Sequence, residues 1–278
     1  MTVGSWKSRS LPAFRLPLVA SGILLFWLGT LRLDAVELMS TARQMGHGSL
    51  KAAFFYSSVE DQDLEFAVSS ADQIQSMSGA DFFSRADSHL PVEGNGDGLF
   101  LKLTYQPWEN SQYYALVGSG HYTVLIPSVT VANTLSGSRL GWTWGLGWKT
   151  VIIPDTVVTP AVSVDASLQR SRFFLNRFGQ DGLSGDSVDE RLDLYQYQVA
   201  VEAGHQWPHV EPYGGVKWNR NQIHLKDSMT GRCVGGYKDK LSPFFGVRLP
   251  VYPQESFLLE ASFADGVHIG VGWEIRFN

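Results

Sequence analysis

The stretch LGWTWGLGWKTVII, residues 140–153, alternates bulky and missing side chains with a period of two. Leu140, Trp142, Trp144, Leu146, Trp148, Thr150 and Ile152 share one face; Gly141, Thr143, Gly145, Gly147, Lys149 and Val151 share the other. A helix would scatter these residues around its circumference, so the segment reads as a strand whose two faces meet different surroundings. The same alternation returns at 162–169, 195–204 and 267–277, and with more noise at 50–57, 99–105, 112–122, 210–224, 243–251 and 257–263. Together these make ten strands.

The connections alternate in length. Those near 107–111, 154–158, 206–209 and 251–256 are short and contain Pro107, Pro154, Pro208 and Pro253, whereas 58–97, 123–138, 176–191 and 227–240 are long and polar. Only the 264–266 connection is short on the long-loop side. A meander of this kind predicts an all-β fold: one closed, antiparallel, up-and-down sheet of about ten strands.

Composition then says which face is dry. Charged residues make up 18% of the 278 residues, below the roughly 25% of soluble domains. Net charge is −5 without a basic block, which excludes a nucleic-acid partner. Glycine, serine and isolated charges would make a poor wet surface but suit a narrow interior, so the apolar face is expected to point outward. Trp108, Tyr113, Tyr114, Trp207, Tyr213, Tyr252, Phe257 and Phe277 gather at the short-turn end, and Tyr122, Trp142, Phe173, Phe174 and Phe263 toward the other. Two such groups predict aromatic girdles at two membrane interfaces, and strands of about 9–11 residues are long enough to span in between.

The chain ends on Trp273-Glu274-Ile275-Arg276-Phe277, followed by Asn278. With this aromatic-ended last strand it resembles the bacterial outer-membrane β-barrel proteins. The resemblance covers residues 98–278 and extends to 50–57. It implies a transmembrane β-barrel in the bacterial outer membrane, with outer-membrane lipid around it and the assembly machinery engaging its C-terminal strand. It leaves the activity open.

Lys7, Arg9 and Arg15 precede an apolar run at 16–33, and small Ala35 follows. This reads as a signal peptide over 1–35, with an uncleaved anchor as the alternative. Residues 36–278 are then expected to form a single barrel domain with a long first loop at about 58–97. Within that loop, 72–86 could be a short helix acting as lid or plug, although 63–68 (DLEFAV) competes as a strand. EGNGDGL, 93–99, reads as a glycine-rich turn and not a calcium loop, because no bidentate acid completes it.

With the apolar face outward, Lys51, Lys102, Asp165, Glu202, Lys217, Arg248, Glu260, Glu274 and Arg276 are expected to line the lumen. Their mixed signs suit a network that fills a small barrel, or a narrow small-solute channel. The expected role is therefore a porin-like channel or a structural surface protein. An omptin-like hydrolase would instead use His121, His224, Asp186, Asp189, Glu190, Asp227 and Asp239 at the long-loop rim, and a soluble ligand-binding barrel is the remaining alternative. No GxSxG elbow is present, and no metal or cofactor motif. The single Cys233 excludes an intramolecular disulfide and paired-thiolate zinc sites. Nothing in the sequence sets an oligomeric state.

Overall fold

The computed structural model describes residues 47–67, 89–126, 133–180, 183–227, 233–263 and 266–277. The expected signal peptide and the expected lid or plug at 72–86 lie outside them. The elements are β1 (Leu50–Ala67), β2 (His89–Trp108), β3 (Ser111–Ile126), β4 (Asn133–Ser136), β5 (Arg139–Ile153), β6 (Ala161–Gln180), β7 (Leu183–Gly204), β8 (Glu211–Asp227), β9 (Cys233–Tyr252), β10 (Glu255–Ser262) and β11 (Val267–Phe277).

Neighbouring staves pair antiparallel, and β1 closes the ring on β11 from Leu50↔Phe277 to Glu60↔Val267. β4 and β5 are two pieces of one stave. β3 pairs with β5 through Gly120↔Gly141 and resumes on β4 from Thr123↔Ser136, while β6 pairs with both pieces. The eleven elements therefore form a ten-stave, up-and-down barrel with the short connections at one end.

The strands run well beyond the expected lengths: β7 has 22 residues and β8 has 17. The segment expected as a loop at 58–97 is strand through Ala67 and again from His89. DLEFA thus belongs to β1, and EGNGDGL lies inside β2 and is no turn. Gly94 and Gly96 stand there because a Cβ at either position would strike the ring of Tyr122 on β3. The loops expected at 123–138, 176–191 and 227–240 are shortened in the same way.

The extra length follows from a change of solvent along each stave. On β8 the inward residues run Glu211, Tyr213, Lys217, Asn219, Asn221, Ile223, Leu225, from charge to amide to hydrocarbon. The outward residues run the other way: Val216, Trp218, Arg220, Gln222, His224, Lys226. β6 repeats this, with Ser163, Asp165, Phe173 and Leu175 inside and Val164, Leu168, Arg170 and Arg172 outside. The short-turn half is apolar outside, with Phe54 57% and Leu99 66% exposed. An exposed belt of this kind is the lipid-facing band of a membrane-spanning barrel. Beyond the belt the faces exchange roles, and the long-loop half is built like a water-soluble barrel.

The β10–β11 hairpin ends early, and its neighbours close above it. β1 carries a bulge between Val59 and Gln62, where Asp61 sits at φ 55° and donates its backbone N–H to Asn95 Oδ1 at 2.7 Å. An extra residue of this sort bends a strand and increases its twist. β1 thereby passes the hairpin tip and pairs with β9 at Ala67↔Gly235. Gly236 allows the approach, since a Cβ there would sit on the carbonyl oxygen of Glu65. Lys240 Nζ pairs with Asp63 Oδ2 at 2.7 Å, and Lys238 grips the other carboxylate oxygen. Ten staves in the lower half become eight in the collar.

Candidate functional site

The lumen is where the chain concentrates its buried chemistry. In the short-turn half, Lys51, Lys102, Lys149, Lys217 and Arg248 are enclosed with Asp165, Glu202, Glu211, Glu260 and Glu274, five cations against five carboxylates. Lys149 Nζ meets Glu202 Oε2 at 2.7 Å, and Lys51 Nζ meets Glu274 Oε2 at 2.8 Å. Arg248 bridges two acids, with its NH1 3.0 Å from Glu211 and its Nε 3.3 Å from Glu274. Charges buried so deeply are tolerable only when paired and hydrogen-bonded.

Tyrosines extend the network. Tyr114 donates to Asp165 Oδ1 at 2.7 Å and Tyr213 to Glu260 Oε2 at 2.8 Å, while Lys102 lies 3.8 Å over the Tyr114 ring. Both tyrosines were expected in the outward girdle, and the structure turns them inward. Tyr113 and Tyr114 are adjacent in one strand and must face opposite ways, so only Tyr113 stays outside. Each inward ring lies opposite a glycine, Tyr114↔Gly147 and Tyr213↔Gly246, where a Cβ would overlap the ring. Tyr122 and Phe173 likewise leave the girdle and stack in the interior at 4.9 Å.

The nine residues expected along the lumen share this neighbourhood. Eight are buried, Glu202, Lys217 and Glu260 completely, and Lys217 Nζ lies 6.0 Å from the Phe244 ring centre. Arg276 is half-buried, opposite Lys51 across the closing seam. Sequence reasoning left Lys149 and Glu211 out of the set. The alternation alone puts Lys149 on the glycine face, and that signal was available. Glu211 opens its strand, where two flanking positions are too few to fix a phase.

Above the charges the interior becomes hydrocarbon. Val59, Leu64 and Phe66 of β1 join Val92 of β2, Val124 and Ile126 of β3, Leu135 of β4, Leu175 of β6, Leu192 of β7, Ile223 and Leu225 of β8 and Val234 of β9 in one continuous buried cluster. All eight staves of the collar contribute, so their side chains meet across the axis. Between the charged and apolar layers lies a cavity of about 40 Å³, bordered by Gln62, Thr143, Gln169, Gln196 and His268. That is room for about three water molecules, and a second cavity of about 30 Å³ lies within the charged layer beside Lys102, Tyr114, Ser167 and Gln198.

Among the described residues, the rim residues weighed for hydrolysis do not converge. His224 is on the outer face, 3.1 Å from Gln222 Nε2 and edge-on to Tyr195. Asp239 is held by Arg220 at 2.6 and 2.7 Å, Glu190 is buried on the inner face and Asp189 is exposed. His121 lies outside on β3, 3.9 Å from Asp97. The side chains of Asp186 and Asp227 lie outside the described residues. Among the described residues no three His, Cys, Asp or Glu side chains gather as a metal site.

No protein-family model and no curated protein sequence matches the chain. Solved structures do. The outer membrane protease OmpT from Escherichia coli superposes with a TM-score of 0.51 at 10% identity, over 82% of this chain and 97% of that one. The translocator domain of the autotransporter NalP from Neisseria meningitidis gives 0.44 at 11% identity, over 84% and 90%. The outer membrane protein OprG from Pseudomonas aeruginosa gives 0.43 at 10%, over 86% and 100%. The fold is that of a bacterial outer-membrane β-barrel.

Proposed function

We propose that this protein is a closed outer-membrane barrel whose role is structural and carried by its collar and loops, and that it does not conduct solutes. The observation behind this reading is how far side chains occupy the lumen among the described residues, with paired charges below, small cavities of about 30 and 40 Å³, and the eight-stave apolar cluster above. A porin-like pore needs a water-filled path, and its lining groups would be wet. Here Lys217 and Glu202 are each 0% exposed. Of the two roles expected from the sequence, the geometry favours the surface protein over the channel.

Planar-bilayer recording of the purified protein tests the proposal. The expected result is a flat current at all voltages that leave the membrane intact. A steady single-channel conductance altered in ion selectivity by Lys217→Gln would overturn it and restore the channel.

A further inference from the structure

Among the described residues, the outward face carries a charge cluster that the lumen network does not use. Arg170 and Arg172 of β6 and Arg191 of β7 converge on a single carboxylate, Asp193. Arg172 Nε donates to Oδ1 at 2.7 Å, Arg191 Nε approaches Oδ2 at 3.4 Å, and Arg170 NH2 stands 3.9 Å away. Only Arg172 makes hydrogen bonds to the acid, while the buried Nε groups of Arg170 and Arg191 have no hydrogen-bond acceptor. Three guanidiniums on one acid leave a local excess of two positive charges. Lys226 adds a further one beside Arg191 across β7–β8, and exposed Asp189 is the counter-charge above it.

The position of the cluster matters as much as its charge. The guanidinium carbons of Arg170 and Arg172 lie 6.0 and 5.3 Å from the Trp142 ring centre, and that of Arg170 lies 5.1 Å from the Tyr195 ring centre, so aromatic rings brace the cluster by cation–π contact. Directly below on the same staves the outward face is Trp144, Leu168, Tyr197 and Val199, all exposed to the lipid. The cluster therefore sits on the upper edge of the apolar belt. Nearby Arg220 offers a contrast, because both of its contacts are satisfied by Asp239.

From this juxtaposition we infer that the Arg170–Arg172–Arg191 cluster is a binding site for the phosphorylated headgroup of a membrane lipid, whose acyl chains lie along the belt beneath it. Guanidinium forks match phosphate oxygens in geometry and charge, and the adjoining apolar strip takes the tail. The inference rests on the membrane placement and is independent of whether the lumen is closed.

Native mass spectrometry of the full barrel in an uncharged detergent, offered equal phosphatidic acid and phosphatidylcholine, reads the site directly. The wild type is expected to retain phosphatidic acid preferentially. Arg170→Gln and Arg191→Gln should each lower that preference about fivefold, the Lys versions should keep part of it, and Arg220→Gln should leave it unchanged. Heat-modifiable migration on gels checks that each variant is folded, and the Lys pair carries the test if the Gln variants are not. Equal retention of the two lipids, an equal loss in Arg220→Gln, or complete displacement by millimolar inorganic phosphate would overturn the site. A protein that stays soluble without detergent and retains neither lipid would overturn the membrane placement itself.

Discussion

The two halves of this barrel use the same staves and the same alternation to opposite ends. In the short-turn half lipid surrounds the wall, so Phe54, Leu99 and Trp144 point out while Lys51, Lys149 and Glu202 fill the inside. In the collar water surrounds the wall, so Leu64, Leu175 and Ile223 turn in while Arg191, Gln222 and Lys226 turn out. A strand's two faces are fixed by its geometry, but which of them is apolar is set by the solvent at that height. The contrast also extends to how the interior is closed. The wider ten-stave section needs long, hydrogen-bonded polar chains to reach across, whereas the narrower eight-stave section closes on aliphatic ones.

The sharpest way to break this contrast is to remove one charge from the lower interior. Lys149→Met leaves Glu202 buried without its ion-pair partner and is expected to cost about 3–5 kcal/mol. Pairing it with Glu202→Gln should recover most of the loss, as read from guanidinium unfolding of the folded barrel in detergent micelles or vesicles. If the single variant is as stable as the wild type, the network does not hold the lower half.

A cation placed on the outer face maps the boundary between the halves. Val199→Arg, on the belt, should destabilise by about 2–4 kcal/mol in a bilayer. Gln222→Arg, on the collar side, should change stability by less than about 0.5 kcal/mol. Equal effects would show that no change of solvent lies between these positions.

The smallest effect is expected at the clasp. Burial raises the Asp63 carboxyl, but hydrogen bonds and charge from Lys238 and Lys240 outweigh it and hold the group below its ordinary 3.8. A depressed carboxyl contributes stability that is complete above the ordinary value and is lost as pH falls through the folded one. Hydrogen exchange at the β1–β9 junction should therefore quicken only below about pH 3.8. Asp63→Asn should remove that dependence, at a cost of less than about 1 kcal/mol for so exposed a pair.

Much of this was legible in the chain. The ten staves, the short and long ends and the inward position of Lys51, Asp165 or Glu274 follow from period-2 alternation and from the spacing of prolines. The collar was not legible, because the apolar phase changes within a strand: on β8 it passes from Val216 and Trp218 to Ile223 and Leu225. On β1 the bulge at Asp61 shifts the phase by one residue, so Phe54 and Leu64, both even-numbered, face opposite sides. Charged residues such as Asp63 and Glu65 then resemble loop chemistry when each lies on the wet side of a strand.

The sequence by itself determined the local two-fold repeat, and with it which neighbouring side chains share a face wherever no bulge interrupts the strand. It could not say which inward groups would meet across the axis. Tyr114 with Asp165, Lys149 with Glu202 and Tyr213 with Glu260 are 51, 53 and 47 residues apart. Those meetings, the closing seam and the β1–β9 clasp were decided by the stagger of the whole sheet, a property that exists only once the barrel has closed.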